Sequence, residues 1–87
     1  MKPFALLVVY DVFEYIERLP RNEQLAIRKR FLQIRDFPHN HSDYSEPDDL
    51  DRHLEINICG KFAVKYWIDH SDQQVKILDI HPADRRK

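Results

Sequence analysis

The chain has 87 residues, of which 43% are hydrophobic and 33% are charged. This length and apolar content predict one small globular domain rather than a disordered segment, with only a modest core. The formal net charge of −1 argues against an obvious nucleic-acid-binding protein, and no apolar segment of the sequence is long enough to cross a bilayer.

A single cysteine, Cys59, excludes an internal disulfide, which is typical of proteins in a reducing cytoplasm. The short apolar run at residues 4–10 is not followed by a small-residue cleavage site. It therefore predicts a buried strand rather than a signal peptide. We expect a cytoplasmic protein with no membrane association.

The first part of the chain predicts a strand and a short helix. The strand covers residues 4–9. Asp11 can cap the helix that follows, because a carboxylate accepts hydrogen bonds from the free amides of a first helical turn. Three apolar residues recur at the spacing of one helical face, namely Val12, Ile16 and Leu19. Pro20 ends the helix, since a proline disfavours helical geometry in the residue before it.

A longer second helix is predicted from Asn22, a favourable capping residue, to about Asp36. Its apolar residues form two neighbouring stripes, one of Ile27, Phe31 and Ile34 and the other of Leu25 and Leu32. Pro38 marks the exit from the helix. Residues 38–49 are rich in Pro, His, Asn, Ser and Asp, which predicts a loop.

Three short strands are predicted at residues 54–59, 62–69 and 75–81, where apolar and polar residues alternate. The only glycine, Gly60, forms the first turn, and residues 71–73 form the second. The alternation slips at Leu78, so the last strand is either apolar on both faces or bulged. The predicted fold is α+β in the order β-α-α-β-β-β, with two N-terminal helices on one face of a small antiparallel sheet, in one domain over residues 1–87.

Tyr66 and Trp67 are adjacent in the middle strand and therefore point to opposite faces of the sheet. We predict that Tyr66 points inward together with Phe62 and Val64. Trp67 then lies on the face without helices, as a large exposed apolar group that could stack on a base or receive a side chain of a partner.

Charge is unevenly distributed along the chain. Residues 21–36 carry five basic and two acidic groups, a net charge of +3, whereas residues 43–55 carry six acidic groups and one basic group, a net charge of −5. Arg28, Lys29 and Arg35 on the second helix could contact nucleic acid or a partner protein. The alternative is a solvated helix face, since basic side chains often lie along apolar stripes.

Several short motifs together resemble the RelE/ParE superfamily of type II toxins, which includes plasmid-stabilisation proteins, and the resemblance covers nearly the whole chain. The residues that carry it are Leu19-Pro20, Phe37-Pro38, Leu50-x-Arg52, Ile56-x-Ile58-x-Gly60-Lys61-Phe62-x-Val64-x-Tyr66-x-Ile68-Asp69 and Val75-x-Ile77-Leu78. No single motif is specific, but few small families combine this order of elements with these turns.

The resemblance implies a bacterial toxin that is held inactive by a cognate antitoxin protein. RelE-like members cleave mRNA on the ribosome, so the first hypothesis is an endoribonuclease that inhibits translation without a metal or a small-molecule cofactor. ParE-like members poison DNA gyrase, so a non-enzymatic gyrase inhibitor is one alternative. A degenerate toxin that keeps its antitoxin complex, or a plain interaction domain, is the other.

RNA cleavage by attack of a 2′-hydroxyl requires a base, an acid for the leaving oxygen and cations near the phosphorane. His81 matches the position at which some family nucleases place a catalytic histidine or arginine. Glu46 or Glu55 could act as the base. The positive charge would come from Lys61, Lys65, Arg52 and Arg85. Family nucleases usually carry an arginine after the aromatic residue of the middle strand, where this chain has Ala63.

Three further features allow a chemical and a structural interpretation. His81 could be a catalytic acid or an ordinary strand-end histidine. The spacing of His39, His41 and Asp43 permits a metal ion, but no second ligand pair or nearby cysteine accompanies them, so we predict no metal site. Cys59 is predicted to be a small hydrophobic residue rather than a nucleophile.

Overall fold

The computed structural model describes residues 4–83, in which seven elements follow one another along the chain. Their order and bounds are β1 (Ala5–Val8), α1 (Tyr10–Glu17), α2 (Arg21–Asp36), β2 (Tyr44–Pro47), β3 (His53–Cys59), β4 (Phe62–Asp69) and β5 (Gln74–Pro82). Neither helix in this part of the chain is long and apolar enough to span a bilayer.

The five strands form one sheet in the order β1-β5-β4-β3-β2. The β3, β4 and β5 strands form the predicted antiparallel meander. The predicted α+β fold with a small antiparallel sheet is confirmed, and the sheet departs from antiparallel pairing only at β1, which pairs with β5 in parallel. The two helices form the crossover between β1 and the rest of the sheet, which allows the first strand to join the last one in the same direction.

The prediction that residues 38–49 form only a loop was also wrong. The β2 strand lies within that segment and pairs antiparallel with β3, from Tyr44 opposite Ile56 to Pro47 opposite His53. Four residues with a proline at the end carry too little alternation to be recognised in the sequence. Pairing with β3, which is a tertiary interaction, makes this segment a strand.

The main core lies between the helices and one face of the sheet. The helices contribute five buried side chains, which are Val12 and Ile16 from α1 and Ile27, Phe31 and Ile34 from α2. The strands contribute Cys59, Phe62, Val64, Tyr66, Ile68, Val75, Ile77 and Ile80. The predicted inward orientation of Tyr66, Phe62 and Val64 is therefore confirmed. The second stripe of α2 lies outside the core, because Leu25 is 54% exposed and Leu32 is 46% exposed.

Both helices begin two residues before the position that the predicted caps imply, and both predicted caps were wrong. The N-cap residues are Val9 and Pro20, and neither makes a side-chain capping hydrogen bond. Asp11 lies inside the first turn of α1, where its carboxylate interacts favourably with the positive end of the helix dipole. Pro20 directly precedes α2 and fixes the backbone angle at the point where that helix starts.

Two tight connections set the register of the meander. Gly60 has a φ of +60° and is the first residue of the two-residue turn between β3 and β4, a conformation that glycine adopts without steric cost. The second connection runs from residue 70 to residue 73 and includes Gln73 at a φ of 54°. Both turns lie where the sequence predicted them.

The last strand contains a bulge at Leu78. Lys65 pairs with Asp79 and the next residue, Tyr66, pairs with Ile77, so Leu78 has no partner across the ladder. The bulge is one of the two alternatives that the slipped alternation predicted. It changes the phase of the strand, so that Ile77 and Ile80 both reach the core although they are three residues apart.

A network of polar groups attaches the segment after α2 to the helix-side face of the sheet. The Tyr66 hydroxyl donates to the Pro38 carbonyl at 2.6 Å, and Asn57 Nδ2 donates to the His41 carbonyl at 2.7 Å. Arg30 Nη1 donates to Asn57 Oδ1 at 3.0 Å. Burial raises the pKa of the Tyr66 phenol, so this group remains a neutral donor at physiological pH.

The Tyr66 hydroxyl provides the first testable prediction. Tyr66→Phe preserves the ring but leaves the Pro38 carbonyl without its donor, so we expect the free energy of unfolding to fall by about 1–3 kcal/mol. Urea denaturation followed by circular dichroism measures the change. Tyr10→Phe is the matched control, since Tyr10 is 68% exposed, and it should change stability by less than about 0.5 kcal/mol. Equal effects of the two substitutions would show that the buried hydrogen bond contributes nothing.

Candidate functional site on the open sheet face

The sheet face that carries no helix is here called the open face. Most of the polar side chains of the candidate site lie on it. Its side chains follow from the strand pairings and the alternation along each strand. They are Tyr44 and Glu46 from β2, Leu54, Ile56 and Ile58 from β3, Ala63, Lys65, Trp67 and Asp69 from β4, and Gln74, Lys76, Asp79 and His81 from β5.

The apolar side of β3 faces this open face and not the helices. Leu54 and Ile56 are 6% and 2% exposed, yet they lie outside the main core. Ile56 pairs with Tyr44 on one side and with Lys65 on the other. Ala63 on β4 is equally buried, at 3% exposure. The open face therefore has an apolar floor with charged and aromatic side chains around it.

His81 lies at one end of the open face, where β5 reaches its last residues. It is opposite Ala63 in the ladder, and its Nδ1 lies 3.0 Å from Asp79 Oδ2. These residues line a shallow depression of about 430 Å³ together with Tyr44, Pro82 and Ala83. With Nδ1 directed at the carboxylate, Nε2 is the nitrogen left for a bound group.

Lys65 crosses the middle of the open face and pairs with the edge strand. Its Nζ lies 2.8 Å from Glu46 Oε2. The hydrogen bond to Glu46 raises the pKa of the Lys65 ammonium, and the Asp79 carboxylate contributes to the same effect. Lys65 also pairs with Asp79 in the ladder. A fixed positive charge is therefore held two strand positions from His81.

Trp67 packs against two cations at the other end of the open face. The Arg52 guanidinium lies 4.7 Å from the centre of the indole ring and the Lys76 ammonium lies 5.1 Å from it. Trp67 is on the predicted face, but the prediction of a large exposed group was wrong, because these side chains leave it only partly exposed. The attraction between cations and the indole face accounts for this cover.

A carboxylate fixes each of the two cations on Trp67. Asp48 accepts from Arg52 Nε at 2.7 Å and from the backbone amides of Leu50 and Arg52 at 3.0 and 2.8 Å. Asp69 Oδ2 lies 3.0 Å from Lys76 Nζ. The hydrogen bond from the cationic partner lowers the pKa of Asp48 and of Asp69 below its ordinary value. Both carboxylates therefore stay ionised at neutral pH.

The structure brings some of the predicted catalytic residues together and separates others. His81, Lys65 and Arg52 belong to the open face. Glu55 lies opposite Tyr66 on the helix-side face and accepts a hydrogen bond from Ser42 at 2.5 Å, which separates it from His81. Lys61 is at the hairpin turn, with its Nζ 2.9 Å from Glu23 of α2. Arg85 lies outside the described residues.

The basic residues of α2 lie on the other side of the molecule from the open face. Arg28 and Lys29 are exposed, and Arg28 lines an apolar groove of about 330 Å³. The groove is formed by β1, α1 and α2 through Leu6, Val8, Phe13, Ile16, Phe31 and Leu32. Arg35 forms an ion pair with Asp36 at 3.0 Å. These three cations cannot act on a group bound in the depression beside His81.

Two of the residues considered for metal binding, His39 and Asp43, have other side-chain contacts. His39 stacks on His70 with ring centres 5.3 Å apart, and the Asp43 carboxylate accepts from the Ile58 amide at 2.7 Å. Within residues 4–83 no three His, Cys, Asp or Glu side chains are grouped so that they could share a metal ion. Cys59 is buried at 7% exposure, and its burial raises the pKa of its thiol.

Two acidic groups of the open face were not singled out by the sequence interpretation. Asp79 orients His81, and Asp48 holds Arg52 on Trp67. The slip at Leu78 contained the signal for Asp79, because a bulge there moves Asp79 and His81 from the face of Ile77 to the open face. No comparable signal pointed to Asp48, whose role depends on the folding of residues 48–52.

Two solved structures share this architecture over nearly the whole chain. A chain of the archaeal RelE–RelB complex from Pyrococcus horikoshii OT3 superposes with a TM-score of 0.81 at 18% identity, covering 98% of this chain and 100% of that one. A chain of the toxin–antitoxin complex RelBE2 from Mycobacterium tuberculosis gives 0.76 at 20% identity, covering 97% of each. No protein-family model and no curated protein matches the sequence. The chain therefore has the RelE-like fold.

Trp67 is the only tryptophan, so its fluorescence reports directly on this site. Arg52→Ala removes the guanidinium from the indole, and we expect red-shifted emission and stronger quenching by acrylamide. The contact itself contributes about 0.5–1 kcal/mol, so the fold should persist. Lys29→Ala on α2 is the control and should leave the spectrum unchanged. Unchanged quenching in the Arg52 variant would contradict the packing described for Trp67.

Proposed function

We propose that this chain is the toxin of a type II toxin–antitoxin pair and that it inhibits translation by cleaving mRNA on the ribosome. The RelE-like fold over nearly the full chain supports the toxin assignment. The single observation that carries the nuclease assignment is the pair of His81 and Asp79 in a polar depression, with the Lys65 ammonium on the same face.

The chemistry of this site suits a proton transfer to or from an RNA oxygen. Asp79 orients the His81 ring through Nδ1, and Nε2 is then available to exchange a proton with the substrate. Lys65 can stabilise the negative charge that develops on the phosphorane. Ala63 supplies no charge where family nucleases usually have arginine, so we expect a slow enzyme.

The same proposal requires a cognate antitoxin as partner and places the protein in the cytoplasm, where ribosomes are. Both solved relatives are complexes of toxin–antitoxin type. The apolar groove between β1 and the helices suits an apolar partner segment, and Arg28 at its wall would favour an acidic one. Phe13 and Leu32 line this groove and are both 46% exposed, as expected of a surface that a partner covers.

One observation favours a non-enzymatic alternative, either a ParE-like inhibitor of DNA gyrase or a degenerate toxin that acts as an interaction domain. Each of the three cations that the described residues place on the open face is already paired with a carboxylate of this chain. Such a face attracts RNA weakly, because affinity for nucleic acid depends largely on cations that replace its counterions.

A translation assay with purified ribosomes tests the proposal. The wild-type protein should block translation and cleave the mRNA, and His81→Gln should slow cleavage by about 10²–10⁴-fold, because the positioned acid or base is lost. His53→Gln is the matched control, since His53 is an exposed histidine on β3, and it should retain the wild-type rate.

Each other outcome has a distinct meaning. Blocked translation with intact mRNA would overturn the nuclease assignment. Unaffected translation together with inhibited supercoiling by gyrase would establish the ParE-like alternative. If neither process is affected by stably folded protein, the chain is an interaction domain, and its partner is then sought through the groove beside Arg28.

A further inference from the structure

Carboxylates at one edge of the sheet form ion pairs with the cations that a bound RNA would need. The relevant segment is residues 43–51, here called the acidic edge, which comprises β2 and the turn after it. It carries five carboxylates and no basic residue, namely Asp43, Glu46, Asp48, Asp49 and Asp51. Two of them, Glu46 and Asp48, bind cations of the open face.

The geometry of these two ion pairs is the geometry of a phosphate contact. Glu46 Oε2 lies 2.8 Å from Lys65 Nζ, and Asp48 Oδ2 lies 2.7 Å from Arg52 Nε and also accepts from Nη2. Charged N–H donors bind phosphate oxygens at the same distances as carboxylate oxygens. A phosphate group and the acidic edge therefore compete for the same donors.

The acidic edge is held to the sheet weakly enough to be displaced. Its strand has four residues, pairs with β3 alone, and ends at Pro47, which cannot donate a ladder hydrogen bond. The two ion pairs are partly exposed, and pairs of this kind add little to the stability of a fold. Removing them is compatible with an intact sheet.

We propose that the acidic edge is a built-in mimic of the RNA backbone, which masks Lys65 and Arg52 through Glu46 and Asp48 and lowers the affinity of the open face for single-stranded RNA. This inference rests on the proposed function, in which the open face contacts RNA. It explains how a chain of net charge −1 can have a face that is able to bind phosphate and still expose little positive charge. Release of the mask increases RNA binding.

The test uses a pair of near-isosteric substitutions. Glu46→Gln with Asp48→Asn removes both negative charges, while the amide oxygen introduced at position 48 can still accept from the Leu50 and Arg52 amides. The control is Asp49→Asn with Asp51→Asn, which changes the net charge equally within the same segment. Both control residues are exposed, and Asp51 has a φ of 66°, which asparagine tolerates well.

The readout is fluorescence anisotropy of a short labelled single-stranded RNA, measured from about 50 to about 200 mM salt. The unmasked variant should bind about tenfold more tightly than wild type at low salt. The slope of the logarithm of the binding constant against the logarithm of the salt concentration should steepen by about 1.4. Each of the two unmasked cations adds about 0.7 to this slope for a single-stranded nucleic acid. The control should bind within about twofold of wild type.

The outcomes separate this inference from the proposed function. If the unmasked variant binds no more tightly than the control, the masking inference is wrong, even where wild type cleaves mRNA. If no variant binds RNA at low salt, the masking inference is equally wrong. If the unmasked variant binds RNA as expected but no form inhibits translation, the mask is real and the proposed toxin activity is wrong.

Discussion

The bulge at Leu78 is the constraint on which the rest of the sheet depends. Without an extra residue, Ile77, Asp79 and His81 would share one face, and a carboxylate would enter the apolar core beside Tyr66. The bulge shifts the phase, so Ile80 fills the core and the polar pair moves to the open face. Burying an unpaired carboxylate costs far more than one missing ladder pair, so the bulge is the lower-energy arrangement. The candidate site exists because of this local irregularity.

The β3 strand turns its apolar side chains away from the helices, and this orientation follows from how the sheet is covered. Two helices are too few to cover five strands, and the segment after α2 covers the helix-side face of β3 instead. That segment has polar groups that need partners, namely the His41 carbonyl and the Ser42 hydroxyl, so β3 presents Asn57 and Glu55 to it rather than its apolar residues. Leu54 and Ile56 then pack on the open face. The apolar floor of the candidate site is thus a result of satisfying buried polar groups on the opposite side.

Much of the fold followed from local patterns, whereas the site depended on contacts between distant residues. The meander, its two turns and the core stripe of α2 were predictable, because alternation, one glycine and helical spacing are encoded locally. The β2 strand, the parallel pairing of β1 and the cover over Trp67 were not, since each depends on a partner elsewhere in the chain. The position of Glu55 could not be predicted either, because the segment after α2, and not the pattern of β3 itself, decides on which face of the sheet Glu55 lies.

The charges of the open face decide how it can act. Arg52, Lys65 and Lys76 would form a basic strip if they were alone, but each is fixed by a carboxylate at hydrogen-bond distance. A permanently paired cation gains little from a phosphate, because one ionic contact replaces another. Lys65 differs, since its partner Glu46 lies on the short edge strand β2 and can leave together with that strand. Lys76 is held by Asp69 within the meander, whereas Lys65 is held by Glu46 of β2 and Arg52 by Asp48 of the turn after it. The face therefore divides into one cation fixed within the meander and two whose partners belong to the acidic edge.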